Sequence, residues 1–476
     1  MTPAPRRVWP VVVAVQVGVL LAALDSTVVG TAMPTVIATL GGVALYPWVF
    51  SAYMLAMTAV MPVFGGLSDR LGRRGPFVAG VGVFCAGSLL AGAAPSMGPL
   101  VVGRAIQGVG AGGILSLALI IFGDLFPGAR RGRMQALITA VWGVASVAGP
   151  LLGGLVVDHG SWRWLFLMNV PLGLVVTLLV LAGLRETAPG LAGGGLDVAG
   201  AAVSIVGVTA LLYAVLEPAL GNPARLGAAL VGIAALVGFV RIERASPHPL
   251  LDLELFRDRT LAVACTAGFF SSAAMFGAIV HVPLLIQWGR GTDATTAGIA
   301  LMVASLGWSA GGLVAGQLVN AVGFRALAVL GMALMTLAYL GLAFRPEASF
   351  RFLVADCAAL GIGMGLVSIV LIVAVQTLVA RAQRGTATGA VLFFRNIGAT
   401  MGVAAMGAAL TGRLGREVTG LVEGGRTLPA PLGAALVREM GLVFWLGVGA
   451  AVLGLIATWF LPRGTPVTAA MPEEIA

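Results

Sequence analysis

Apolar residues along this chain come in long runs, not in the strict alternation of a strand or the spaced stripe of a surface helix. A run of about 18 mostly apolar residues is long enough to cross a bilayer as a helix. Fourteen such runs can be placed. Six lie near 8–33, 47–67, 77–94, 99–123, 133–157 and 162–184, and two near 197–217 and 225–242. The last six lie near 260–287, 294–319, 325–344, 350–376, 385–411 and 440–461. The pattern predicts an all-α integral membrane protein of 14 transmembrane helices.

The polar interruptions repeat. Gly65-Gly66-Leu67-Ser68-Asp69-Arg70-Leu71-Gly72-Arg73-Arg74 returns, weakened, at Gly316-Gln317-Leu318-Val319-Asn320-Ala321-Val322-Gly323-Phe324-Arg325, 251 residues on. Gly108-Val109-Gly110-Ala111-Gly112 is answered 253 residues later by Gly361-Ile362-Gly363-Met364-Gly365, and Gly149 by Gly402 at the same offset. Echoes in one register imply a duplicated architecture. Two pseudo-symmetric six-helix bundles are expected at 1–188 and 260–462. Two additional helices fall at 189–245, a cytoplasmic linker at 246–259 and a cytoplasmic tail at 463–476.

Composition narrows the class. Hydrophobic residues make up 59% of the 476, and the mean hydropathy is +1.02, more apolar surface than a soluble domain can bury. The formal charge of +9 does not point to nucleic acid, because the basic residues, all 28 of them arginine, sit in short clusters between apolar runs. Their placement reads as a topology signal. Clusters at Arg6–Arg7, Arg70–Arg74 and Arg130–Arg133 would face the cytoplasm, together with both termini. The first run is too long for a signal peptide. Without lysine there is no P-loop, so ATP does not drive this chain. Cys85, Cys265 and Cys357 lie in separate runs with no metal or redox spacing, and neither metal nor cofactor is expected.

A few ionisable residues fall inside apolar runs, where a charge costs about 2.5–3.5 kcal/mol on insertion scales and so should face a cavity and carry function. Asp25 lies nine residues before Pro34 and Arg104 five after Pro99. These are depths of roughly 13 and 8 Å at 1.5 Å per residue, a difference an arginine can span. Arg395, in Phe393-Phe394-Arg395-Asn396, stands too deep to reach an interface readily. Asp356 falls nearer an outer boundary, and His281 is a lone histidine. Gly149-Pro150-Leu151-Leu152-Gly153-Gly154 predicts a kink in the fifth helix, and its later counterpart has Val403 in place of the proline.

With these residues in view, the chain resembles the major facilitator superfamily, in its 14-helix drug/proton antiporter branch. Gly65–Arg74 is similar to the superfamily's cytoplasmic loop signature, Arg104–Gly110 to its fourth-helix proton-coupling motif, and Gly149–Gly154 to the antiporter motif. Leu24–Pro34 and Ser161–Pro171 resemble further motifs of that branch. Gly30 departs from the usual Asn, and Asn320 replaces the acid of the second loop copy.

The resemblance implies no enzyme and no cofactor. It implies a monomeric exporter of lipophilic, often cationic, molecules in the cytoplasmic membrane, exchanging protons at Asp25 tuned by Arg104. Tyr53, Gln107, Trp142, Arg395 and Asn396 are the candidate cavity lining. Gly65, Asp69, Arg70, Gly72, Arg73, Arg74 and Asp124 form a candidate cytoplasmic gate, with Asp69 set toward the start of the helix at Gly385. Gly149, Pro150, Gly153 and Gly154 form the antiporter kink. An exporter of lipid, siderophore, peptide or metabolite would use the same fold. An importer by symport fits the kink motif less well. An intramembrane enzyme or sensor would need clustered nucleophiles or histidines, and the chain has only His159, His248 and His281.

Overall fold

The computed structural model describes residues 8–126, 129–184, 198–216, 222–246, 253–379, 384–413, 420–422 and 429–464. Those residues are helical with short turns, and no strand occurs among them. In order the helices are α1 (Val8–Leu40), α2 (Tyr46–Leu71), α3 (Arg74–Gly92), α4 (Met97–Leu125), α5 (Ala129–His159), α6 (Trp164–Leu167) and α7 (Asn169–Gly183). Then come α8 (Val198–Leu216), α9 (Asn222–Ala245), α10 (Arg259–Leu284), α11 (Ala294–Val322), α12 (Phe324–Phe344), α13 (Phe350–Leu378), α14 (Arg384–Arg413) and α15 (Ala430–Trp459). Thirteen segments are long and apolar enough to cross a membrane, with α6 and α7 together making one of them. The shorter apolar stretch Ala202–Leu211 of α8 brings the number of spans to the expected 14.

Contacts divide the chain into two compact units, Met1–Leu211 with Leu226–Leu250, and Leu212–Arg225 with Leu251–Ala476. Within the first, α4 packs between α2 and α3, and α1 packs on α5 and α7. Within the second, α13 packs between α11 and α12, and α10 packs on α14 and α15. The pairing scheme is the same in each, as the sequence repeat requires. α8 and α9 pack on one another where Gly207 meets Leu236 and Gly232 meets Leu211.

Several boundaries differ from those expected. The first helix does not stop at Pro34 but runs through it to Leu40. The proline ring leaves the carbonyl four residues back without its donor, and that residue is Gly30, which has no side chain to crowd the bend. The helix ends instead at Gly41 and Gly42, both in the left-handed region at φ 67° and 75°. The expected single helix at 162–184 is broken at Met168, so that Pro171 falls in the first turn of α7, where its missing N–H costs nothing. The last helix begins ten residues before the expected position 440, at Ala430. Arg438 and Glu439 had ended the apolar run; Glu439 in fact accepts from Arg413 Nη1 at 3.0 Å. In the linker, Leu253–Arg257 forms a 3-10 turn, and 247–252 lie outside the described residues.

Candidate functional site

The polar core of the first unit is built from five helices. Asp25 of α1 keeps 3% of its surface exposed, and Arg104 of α4 keeps none. Arg104 Nη1 donates to Asp25 Oδ2 and, at 2.9 Å, to Gln107 Oε1. Its Nε donates to the Val49 carbonyl at 3.2 Å. The guanidinium carbon lies 4.2 Å from the Tyr53 ring centroid and 5.8 Å from that of Phe166. Asp25 Oδ1 accepts from Gln107 Nε2 at 3.0 Å and from Asn169 Nδ2 at 3.2 Å. Both amides also donate to Ser88 Oγ, at 2.6 and 3.2 Å. Tyr53 of α2 closes the floor, its hydroxyl donating to the Ala22 carbonyl at 3.1 Å. Every partner of the Asp25 carboxyl is a donor, an arrangement that suits an ionised carboxylate.

Local sequence explains how these groups meet. Arg104 and Gln107 are three apart and share one face of α4. A Cβ on Gly87 would stand 2.8 Å from Gln107 Cγ and 2.7 Å from the Gly103 carbonyl, so glycine lets α3 close on α4 until Ser88 reaches Gln107. The break before Asn169 turns that amide inward at the first residue of α7, where it is 1% exposed.

α5 grips α1 immediately past the carboxylate. A Cβ on Gly149 would overlap Thr27 Oγ1, and one on Gly153 would overlap Thr31 Oγ1. Thr27 Oγ1 has the Ala145 carbonyl of α5 within hydrogen-bond reach at 3.1 Å, alongside those of Leu24 at 3.0 Å and Ala23 at 3.1 Å on its own helix. Pro150 lies inside the helix, buried with Gly149, Gly153 and Gly154.

At the loop signature, Gly72 ends α2 with φ 83° and its repeat Gly323 ends α11 with φ 89°, which explains why glycine stands at both. Arg73 Nε donates to Asp124 Oδ2 at 2.9 Å, and its Nη1 donates to Ser68 Oγ at 2.9 Å. Ser68 Oγ in turn donates to the Gly65 carbonyl at 2.7 Å. Among Arg70, Arg73 and Arg74, the pairing with Asp124 seen among the described residues is that of Arg73. Arg74 is half-buried, and the side chains of Asp69 and Arg70 lie outside the described residues.

A family model described as the Major Facilitator Superfamily matches residues 16–403. The chain belongs to that superfamily. Among its relatives is the Multidrug transporter protein MdtP of Bacillus subtilis, 34% identical over 90% of this chain and 80% of that protein. Multidrug resistance protein 3 of the same organism is 32% identical over 84% of this chain and 79% of its own length. A solved D-xylose-proton symporter superposes with a TM-score of 0.68 at 14% identity, over 96% of this chain and 98% of its own, and so reports the shared fold alone. This superfamily member is thus a multi-pass membrane transporter and not an enzyme.

Tyr53 and Gln107, expected along a cavity, are fully buried within the polar cluster of the first unit. Trp142 is half-buried in α5, and Arg395 and Asn396 are half-buried in α14. Asp356 is 9% exposed in α13, its carboxyl set against Gly341 of α12. His281 is buried in α10 with Nδ1 2.9 Å from the Gly277 carbonyl. Two members of the cluster were not among the sequence candidates. Asn169 had a signal, an amide in an apolar run. Ser88, between Gly87 and Leu89, had none.

Proposed function

We propose that this transporter is a proton-coupled exporter of lipophilic, often cationic, molecules in the cell membrane, working as a drug/proton antiporter by alternating access. The observation that carries the reading is the buried Asp25 carboxyl, 3% exposed and held by Arg104, Gln107 and Asn169. Adding a proton removes the charge that Arg104 pairs with and gives Asp25 a donor that must find an acceptor among groups now donating to it. Protonation therefore disturbs α1, α4 and α7 together, and α5 through Thr27. The multidrug transporters among its relatives support the choice of cargo.

In the proposed cycle the inward-facing, deprotonated protein takes up its cargo, and protonation from outside releases it. The bundles at 1–188 and 260–462 rock as bodies, the pair 189–245 stays outside that core, and both termini face the cytoplasm. Trp142, Arg395 and Asn396 contribute to the cargo cavity. The gate loop from Gly65 to Arg74, with Asp124, biases the closed state, and the protein acts as a monomer. A pH difference supplies about 1.4 kcal/mol per unit. The membrane potential adds roughly 2.3 kcal/mol per net charge per 100 mV.

The test is efflux from proteoliposomes under an imposed pH gradient, with the wild type and Asp25→Asn at matched incorporation. Efflux that follows the gradient in the wild type and ignores it in the variant is expected. Equal gradient dependence in both would move the proton carrier elsewhere.

A further inference from the structure

Arg395 is a membrane-embedded charge that the proton exchange at Asp25 leaves unused. Its stem crosses α10 at a glycine: a Cβ on Gly268 would stand 3.0 Å from Arg395 Cγ and 3.7 Å from Leu371 Cδ1 of α13. Gly268 lies nine residues into α10, a depth of roughly 13 Å. Arg395 Nε is buried without a hydrogen-bond partner, and none of the ion pairs among the described residues includes this guanidinium. Arg104 also has one buried nitrogen without a partner, Nη2, but it differs in having a carboxylate, an amide, a carbonyl and two aromatic rings about it.

A guanidinium cannot shed its charge at physiological pH, so it needs an anion or water. Four of the six acids described in the second unit are engaged elsewhere or lie far along their helix, and the other two belong to turns. Asp258 Oδ1 caps α10 through Thr260 N at 2.7 Å, Asp293 Oδ1 caps α11 through Thr296 N at 2.8 Å, and Glu439 holds Arg413. Glu254 belongs to the 3-10 turn before α10, and Glu347 to the turn between α12 and α13. Asp356 is 15 residues along α13 from Leu371, a rise of about 22 Å. The stem, meanwhile, lies on apolar surface from Gly268 and Leu371.

A fixed cation on an apolar wall fits a molecule with an apolar body and an acidic group, which the guanidinium fork grips in a charge-assisted, bidentate manner. We propose that Arg395 binds the acidic group (carboxylate, sulfonate or phosphate) of an amphipathic molecule. This rests on the export reading for its placement in the cargo cavity, and it extends the cargo from plain cations to zwitterions and anions. The same chemistry is offered by a transported amphiphile and by the headgroup of an anionic phospholipid.

Rhodamine B and its ethyl ester share one cationic ring system and differ in a free carboxylate. Their binding to the purified full chain in detergent would be compared for the wild type, Arg395→Lys and Arg395→Gln. Arg395→Gln is expected to weaken rhodamine B by about tenfold or more and the ester by less than about twofold, with Arg395→Lys between. Retained ester binding and an unchanged gel-filtration profile show that the variant is folded. Competition of rhodamine B by phosphatidylglycerol but not phosphatidylcholine, absent in Arg395→Gln, assigns the acid to a lipid headgroup; no competition assigns it to the transported molecule. Equal rhodamine B affinity in wild type and Arg395→Gln, including no binding by either, overturns the proposal, as does an equal fall for the ester. Failure of gradient-driven efflux would sink the export reading while leaving the dye difference standing.

Discussion

Gly108 and Gly112 of α4 do in the first unit what Gly361 and Gly365 of α13 do in the second. A Cβ on the first pair would strike the carbonyls of Tyr53 and Met57 on α2; on the second pair it would strike those of Ala304 and Trp308 on α11. The glycine between them turns to the other neighbour. Gly110 meets Phe84 and the Gly80 carbonyl on α3, and Gly363 meets the Gly331 carbonyl on α12. Residues four apart share a helix face and the residue between them points away, so a glycine at every second position lets one helix close on two partners. The side chains on that shared backbone differ. The positions of Arg104 and Gln107, moved by 253 residues, hold Cys357 and Leu360; that of Ser88, moved by 251, holds Tyr339. The spacing of glycines carries the fold twice, and the polar core was placed on one copy.

Removing the carboxylate tests that asymmetry most severely. Asp25→Asn strands Arg104, and breaking one side of a buried pair costs about 3–5 kcal/mol. A large fall in thermal stability in detergent is expected together with loss of coupled efflux. Cys357→Ala, at the position matching Arg104, should cost no more than about 1–2 kcal/mol and leave coupling intact. The double variant Asp25→Asn, Arg104→Gln should regain part of the stability and none of the coupling. A Cys357→Ala variant that uncouples efflux would mean the halves share the proton task.

The glycines should behave alike where the polar residues do not. Alanine gains up to about 1 kcal/mol over glycine in a helix interior. Forcing a methyl group against a packed carbonyl costs about 1–3 kcal/mol, so the collision wins. Gly108→Ala and Gly361→Ala should each lower the melting temperature by a similar amount. Gly449→Ala, with nothing within 4 Å of its added Cβ, should raise it slightly. Opposite outcomes for Gly108 and Gly361 would break the likeness of the two backbones.

Much of this was legible in the sequence, for identifiable reasons. Apolar runs report spans directly, because lipid leaves no alternative to a helix. The repeat of Gly108–Gly112 at Gly361–Gly365 reports helix contacts that only glycine allows. Asp25 and Arg104 stood out because a charge in an apolar run is costly. Boundaries were less readable. Pro34 looked like a stop, but Gly30 makes room for it, and the Arg438–Glu439 pair hid the first turns of α15 because charge ends an apolar window while helix continues. Ser88 was invisible, since a small hydroxyl residue in a membrane helix usually bonds its own backbone and nothing in the spelling separates the exception.

The loop signature offers a milder contrast. Arg73 pairs with Asp124, whereas the second copy has Phe324 at that position, and its Arg325, which matches Arg74, donates through Nε to the Leu461 carbonyl just past α15 at 2.7 Å. The first contact is partly exposed, 19% and 43% for the two side chains, so its worth is about 0–1 kcal/mol. Arg73→Ala should change efflux by less than about fivefold with little loss of stability. The swap of Arg73→Asp with Asp124→Arg should restore wild-type efflux. No recovery in the swap would show that Arg73 acts through Ser68, or through the loop itself, and not through the ion pair.

The smallest effect separates how the two halves begin matching helices. α2 starts with Pro47 and no side-chain cap, while α11 starts with Asp293, whose carboxylate accepts from Thr296 N at 2.8 Å. The side chain and backbone N–H of Thr296 hold the Asp293 carboxyl below the usual carboxylate range. A carboxyl depressed on folding contributes stability that is present above its unfolded value near 4 and lost as pH falls through its lower folded value. Since Asp293 lies at an exposed helix end, the contribution is that of an ordinary cap, about 0.5–1 kcal/mol and screened by salt. Asp293→Ala should therefore lower the melting temperature slightly at pH 7, and the gap from wild type should narrow as the pH falls below the unfolded value near 4 and the carboxyl loses its charge. Asp293→Asn keeps an acceptor that does not titrate in this range, so it should hold most of the stability with no such narrowing. A gap that stays constant down to pH 3 for Asp293→Ala would assign the effect to the turn at Gly291, with φ 64°, and remove the carboxylate from the account of how α11 begins.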